Sequence, residues 1–168
     1  EFTHRFDGAK LESNIYVALK IRGGTVQRLH VTESAFVKDR NELNSSTKQA
    51  VPVTGSISEE TTGNGFNDFY DFYIDSGAKR EIGILDYKTY FYAWWENPEY
   101  SLPGELPAPD AEDKLKYGDE QTEREKYNLI DGQLLWRRWK INELRKNQEG
   151  VGLTGLQLFK QEYPASWQ

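Results

Sequence analysis

The chain has 168 residues, 29% of them charged, a formal net charge of −6, and neither Cys nor Met. That length suits one domain, or one with an appended piece, and zero Cys excludes disulfides and thiolate metal sites, which fits a reducing cytosol. The two His, His4 and His30, are too far apart in sequence to read as a zinc site, no apolar run nears the roughly 20 residues of a membrane helix, and the polar start EFTHRFDGAK lacks a signal-peptide core.

In chain order, residues 14–31 read as two extended segments about the Gly23-Gly24 turn, a hairpin or strand pair. The second carries Val26, Leu29 and Val31 in alternation and stops on Glu33, ahead of Ala35 and Phe36. Val and Thr favour extended backbone, so Glu33 is predicted at the rim of a sheet. Carboxyl ends of strands are where open α/β sheets bind ligands, and in nucleotide hydrolases an acid there holds Mg²⁺ or polarises water. The plain alternative is a surface Glu ending an ordinary strand. Residues 37–50 are polar and predict a helix followed by a loop. Ala50–Ser58 predicts a second strand, with Pro52 placing its first part at an edge. It runs into Glu59-Glu60 and a loop, Thr61-Thr62-Gly63-Asn64-Gly65, suited to positive φ and to offering backbone N–H groups.

Phe66, Phe69, Tyr70 and Tyr73 recur at helical spacing and predict an amphipathic helix over 66–74. Residues 82–95 are the most apolar stretch and predict a strand ending in an aromatic cluster. Pro98, Pro103, Pro107 and Pro109 mark an irregular connection, with a domain boundary near residue 100. Beyond it come a highly charged helix over 110–128, a longer one over 129–147 and a closing segment, 153–168. Charge is uneven: residues 1–95 carry 11 basic and 13 acidic groups, 96–128 carry 4 and 10, and 129–168 carry 6 and 4. An acidic chain argues against broad phosphate binding; any nucleic-acid contact is local.

In the 129–147 helix, stepping about 100° per residue groups Ile130, Leu134, Ile141 and Leu144 in one stripe. Arg137 falls inside that stripe and Arg138 on its flank. An Arg so placed pairs with a carboxylate or lays its stem along apolar surface to reach water. The plain arrangement is an Arg stacked on a Trp or tied to a local acid, and the functional one points out of the helical part toward phosphate or DNA. Trp94, Trp95, Trp136, Trp139 and Trp167 allow another reading, a non-catalytic binding module that stacks sugars or single-stranded bases. A further reading uses the acidic 96–128 segment as an interaction surface, against the plain one of a solvated face.

Four stretches carry a resemblance in sequence order: RGGTVQRLHVTESAF at 22–36, ETTGNGFNDFYDFY at 60–73, FYAWWENPEY at 91–100, and LLWRRWKI with LFKQEYPASW between 134 and 167. Together they resemble the large subunit of the terminase, the DNA-packaging motor of tailed bacteriophages. The resemblance implies an α/β fold: the C-terminal half of a P-loop-type ATPase sheet over residues 1–100, then a small, mostly helical lid or linker subdomain over 101–168. It implies that Val26–Thr32 is the strand of the second nucleotide-binding motif, with Glu33 its catalytic carboxylate. Thr61 and Thr62 fall on the motif that couples phosphate state to movement, and Arg137 and Arg138 become candidate lid or DNA contacts. The plain reading of Thr61-Thr62 is a cap for the helix after it.

The resemblance also implies ATP and Mg²⁺ as cofactors of the intact parent. Its partners would be double-stranded DNA, a portal protein, the small terminase subunit and other copies in a ring, in host cytoplasm and transiently docked on a procapsid. There are departures. Thr32 stands where many such enzymes have a Mg²⁺-holding Asp, so no metal ligand is assigned. No G-x-x-x-x-G-K-[ST] occurs, since Gly23-Gly24 and Gly63-Asn64-Gly65 lack the Lys, and no acidic cluster for nuclease metals follows Pro164. With no Met, and with an opening Glu-Phe that a GAATTC restriction site would encode in frame, the chain is expected to be an excised piece of the motor, inactive alone and binding no cofactor by itself.

Overall fold

The computed structural model describes residues 24–78, 83, 85–146 and 152–166, and the backbone of 2–6 and 9–13. The chain forms two compact units, residues 1–61 with 66–87, and residues 62–65 with 88–168.

In the first unit β1 (Phe2–Phe6) and β2 (Ala9–Ser13) pair antiparallel, Phe2 opposite Ser13. The expected turn at Gly23-Gly24 lies largely outside the described residues. β3 (Arg28–Val31) and β4 (Ser56–Glu59) pair in parallel, with Leu29 opposite Ile57 and Val31 opposite Glu59. Side chains alternate across this pair: Leu29, Val31, Ile57 and Glu59 are wholly or partly covered, and Arg28, His30, Ser56 and Ser58 are exposed. Parallel strands need a crossover, and the polar 37–50 stretch supplies it. α1 (Arg40–Glu42) runs on through a π turn, Leu43–Thr47, and a 3-10 turn, Lys48–Ala50. Asp39 caps its start, Oδ1 accepting from the Glu42 N–H at 2.9 Å, and Leu43 is fully buried. The return turn is tight: a Cβ on Gly55 would lie 2.8 Å from the Gln27 carbonyl oxygen, which accepts the Ser56 N–H. Only glycine lets the strands meet there.

α2 (Asp68–Gly77) starts two residues later than its aromatic spacing predicts. Asn67 takes the cap, its side-chain oxygen accepting from the Phe69 and Tyr70 N–H groups. Phe66 is thereby left outside the helix and 90% exposed.

The second unit is helical: α3 (Ala111–Tyr117), α4 (Glu120–Tyr127), α5 (Asp131–Lys146) and α6 (Gly155–Glu162). The single helix expected over 110–128 is two, because Gly118 sits at φ 77° and Asp119 caps a new start, accepting from the Thr122 N–H. The irregular Pro-rich connection is tied to the first turn of α5, with Leu102 N–H donating to the Gly132 carbonyl and Leu106 N–H to Asp131. The core is aromatic: Trp94, Tyr117, Trp136 and Phe159 are buried with Leu129, Leu134 and Ile141. Tyr100 stacks on Trp136 with ring centroids 4.1 Å apart.

Two expectations are corrected. Residues 85–93 form no strand pairing, and their aromatic end runs into the second unit's core instead. The division falls between Tyr87 and Lys88, not near residue 100, because Trp94, Trp95 and Tyr100 pack with that core. The architecture is thus a mixed α/β chain with a two-stranded parallel sheet and a helical second unit; a larger ATPase-type sheet is not part of it among the described residues. No helix among the described residues is long and apolar enough to cross a membrane.

Trp136 touches Trp94, Tyr100, Phe159 and Tyr163. Trp136→Ala is expected to cost the second unit about 3–5 kcal/mol in urea unfolding.

Candidate functional site

Glu33 lies two residues past the end of β3 and is exposed, with φ 52° and ψ 42°, the left-handed region. Among non-glycine residues such a backbone is uncommon and strained. Its neighbours are held closely. The Ser34 N–H donates to the Glu60 carbonyl at 3.0 Å. The Ala35 N–H donates to Thr61 Oγ1 at 3.3 Å, and Asn67 Nδ2 donates to the Ala35 carbonyl at 2.8 Å. A 3-10 turn, Ser34–Phe36, then leads away. Parallel pairing of β3 with β4 thus brings Glu33 and Thr61 to the same end of the sheet. Thr62, the next residue, is counted with the second unit.

Behind this turn lies a buried ionic cluster. Glu59, at the end of β4, has a side chain only 2% exposed. Lys48 Nζ lies 2.5 Å from its Oε1, and Arg40 Nη2 lies 3.0 Å from its Oε2. Ser34 Oγ donates to Glu59 Oε2 at 2.6 Å and accepts from Arg40 Nη1 at 2.9 Å. Arg40 lies over the Phe69 and Phe72 rings, and Lys48 over Phe72 and Tyr87. Arg40 Nη2 and Glu59 Oε1 are held by charge and not by well-aligned hydrogen bonds, and the buried Tyr87 hydroxyl lacks an aligned partner. Burial pushes the Glu59 pKa up, but the close Lys48 ammonium, the hydrogen bond from Ser34 and the charge of Arg40 outweigh it. The carboxylate is held below its ordinary range. Burial, followed by the Glu59 charge, raises the Tyr87 phenol well above its own.

The sequence reading passed over Ser34, Arg40, Lys48 and Tyr87. A signal was present in Glu59-Glu60: neighbours in a strand point to opposite faces, so one of the two acids had to face inward and find cations. Glu60 takes the exposed face. Its Oε1 accepts from Thr32 Oγ1 at 3.1 Å and lies 3.4 Å from His30 Nε2, while His30 Nδ1 and Ser58 Oγ are hydrogen bonded at 2.8 Å. Among the described residues no group of three His, Asp or Glu side chains is arranged to hold a metal ion.

Arg137 and Arg138 are turned into the second unit, 3% and 9% exposed. Arg137 Nη1 donates to the Tyr117 carbonyl at 2.8 Å, lies 3.7 Å from Glu120 Oε1, and stands over the Phe159 ring. Arg138 grips Glu120 through Nε and Nη2 and reaches Asp113 through Nη1. Burial lowers the Arg137 pKa against the opposing pull of Glu120, and the bonds to Glu120 raise that of Arg138. Of the expected arrangements for Arg137, the tie to a local acid is adopted, and the ring it stands over is Phe159 instead of a Trp; neither guanidinium is presented to solvent. Trp94 and Trp136 are core residues, and Trp95 stacks on Tyr127 with its Nε1 donating to the Ala165 carbonyl. Trp139 is 47% exposed, and Trp167 lies outside the described residues.

Comparison of the chain with models of known protein families, with curated proteins and with solved structures finds no match.

The folded pKa of Glu59 lies below its unfolded value. Its stabilisation is therefore complete above the unfolded value and lost as pH falls through the folded one. Urea unfolding across pH 7 to 2 should show that loss, and Glu59→Gln should flatten it while costing about 3–5 kcal/mol at neutral pH by leaving two buried cations unpaired. Arg137→Ala should likewise destabilise the second unit, by about 3 kcal/mol in thermal or urea unfolding, because Glu120 loses one of its buried cations.

Proposed function

We propose that this chain is part of a viral DNA-packaging ATPase of the terminase large-subunit kind. Glu33 is its water-orienting carboxylate. One observation carries the reading: an exposed, left-handed Glu two residues past the end of a parallel strand, at the sheet end where α/β folds bind ligands. Strain of this sort collects at functional sites and persists only where the surroundings enforce it. The four family-like stretches support the reading, as does Thr61 at the end of the neighbouring strand.

Bound ATP supplies the phosphoanhydride bond to be cleaved, and Mg²⁺ neutralises charge on its phosphates. An exposed carboxylate on a fixed turn accepts a hydrogen bond from a water and orients it for attack. The Thr61 hydroxyl, which receives the Ala35 N–H, links the end of β4 to the Glu33 turn, so a change of partner at Thr61 would be felt there. Thr32 brings no carboxylate of its own, and its hydroxyl donates to Glu60, so Mg²⁺ is not assigned to it. The Gly-Lys phosphate loop is not in this sequence, and nucleotide binding is proposed for the assembled parent. Double-stranded DNA, a portal protein, the small subunit and further copies of the motor are the partners this reading implies. The setting is host cytoplasm, at the procapsid.

Glu33→Gln keeps size and hydrogen bonding but removes the charge. In the intact motor it should lower DNA-stimulated ATPase by about 10²–10⁴-fold, while the melting temperature of the 168-residue chain stays nearly unchanged, because an exposed rim acid contributes little to the core. ATPase near that of the unmodified motor would return Glu33 to a surface acid ending a strand. Calorimetry of the chain alone should detect no micromolar ATP affinity.

A further inference from the structure

We propose that Ser34 is a positioning residue, whose hydroxyl fastens the turn to the buried Glu59 carboxylate and so keeps Glu33 in its left-handed conformation. Only its functional arm rests on the reading of Glu33 given above; the geometry stands by itself.

Ser34 follows Glu33 immediately and is 1% exposed. Its hydroxyl has one proton, which goes to Glu59 Oε2 at 2.6 Å, and one lone pair takes the Arg40 Nη1–H at 2.9 Å. With both roles used, the side chain has one orientation. The Ser34 N–H is held at the same time by the Glu60 carbonyl. A residue fixed at its amide and at its hydroxyl cannot rotate, and the peptide joining it to Glu33 is fixed with it. The hydroxyl–carboxylate bond has the short length of a charge-assisted bond. The nearby Ala35 N–H to Thr61 Oγ1 contact is longer, at 3.3 Å, and weaker. Glu59 itself is immobilised by Lys48 and Arg40, with the Tyr87 phenol facing it. The tie therefore runs from a rigid, buried charge to the residue beside the strained one.

A double-mutant cycle isolates this role. Ser34→Ala removes the hydroxyl, and Glu33→Gly removes the strain that the hydroxyl is proposed to hold, since glycine adopts positive φ without penalty. Melting temperatures are measured for the unmodified chain, each single variant and the pair. Ser34→Ala is expected to lose more melting temperature in the Glu33→Gly background than in the unmodified chain, where release of the Glu33 strain offsets part of the lost hydrogen bonding. Equal losses in both backgrounds would mean that Ser34 only packs, and would overturn the proposal. Should Ser34→Ala fail to fold, NMR titration of the unmodified chain decides. The backbone amide signals of Glu33 and Ser34 should titrate together with the Glu59 carboxyl before unfolding, and amides indifferent to that titration would overturn it. In the intact motor Ser34→Ala should lower kcat by roughly 10²-fold, with the KM for ATP unchanged, as a misplaced but present carboxylate would. Stability coupling with an unaffected kcat would keep Ser34 as the positioning residue and remove Glu33 from catalysis.

Discussion

A single buried carboxylate, Glu59, organises the first unit. Moving a charge out of water costs several kcal/mol unless partners and hydrogen bonds replace the solvent. Here the partners are Arg40 and Lys48, both on the crossover between the two parallel strands. In an uninterrupted α-helix, residues eight apart lie about 80° out of phase. The π turn between them, Leu43–Thr47, is wider and turns less per residue. It brings Lys48 nearer the face of Arg40, so one carboxylate can take both. The irregular helical stretch is in this sense shaped by the charge it must serve.

The second unit meets the same problem with other residues. Glu120 is 4% exposed and takes Arg138 through two nitrogens, with Arg137 close by. The first cluster sets two cations against one acid, and the second sets Arg137 and Arg138 against Glu120 and Asp113. In each, aromatic faces line the cations: Phe69, Phe72 and Tyr87 in the first, Phe159 and Tyr117 in the second. Ring quadrupoles attract cations best where water is excluded. A chain with 14% aromatic residues thus uses many of them as walls for charge, which draws them away from an open stacking surface.

What could be read in advance followed from period and punctuation. β3, the amphipathic α2 and the long α5 rest on apolar periodicity or on turn residues that no tertiary contact reversed. Of the strand expected over Ala50–Ser58 only the last three residues are strand, since residues 51–55 form the return turn. The β1–β2 pair was missed, although Asp7-Gly8 between two short segments is a hairpin signal. The break at Gly118 was hidden by high charge on both sides, and only a positive φ exposes it. The stripe on α5 placed Leu134 and Ile141 inward, and both are fully covered. It missed Trp136, because a ring that large reaches the core from outside a narrow stripe. Residues 85–93 have the composition of a strand, yet composition cannot supply a neighbour to pair with. Which residues partner the inward acid was beyond sequence reasoning for a similar reason: Arg40, Lys48, Glu59 and Tyr87 are separated by up to 47 positions, and only the fold makes them neighbours.

The backbone of Glu33 shows most clearly why local sequence was silent about the geometry of the site. Left-handed geometry costs a non-glycine residue about 1–2 kcal/mol, and nothing in Val-Thr-Glu-Ser asks for it. Hydrogen bonds contribute about 0.5–1.5 kcal/mol each, and more when a charge takes part. Five of them tie Ser34 and Ala35 to other parts of the chain: to the Glu60 carbonyl, the Glu59 carboxylate, Arg40 Nη1, Thr61 Oγ1 and Asn67 Nδ2. Their sum exceeds the strain, so the turn is stable as a whole although one residue in it is not. All of these partners but Arg40 come from the end of β4 or the cap of α2, at least 25 positions further along the chain. The conformation of Glu33 is therefore a consequence of pairing β3 with β4. Anything that loosens the end of β4 must also release the strain at Glu33.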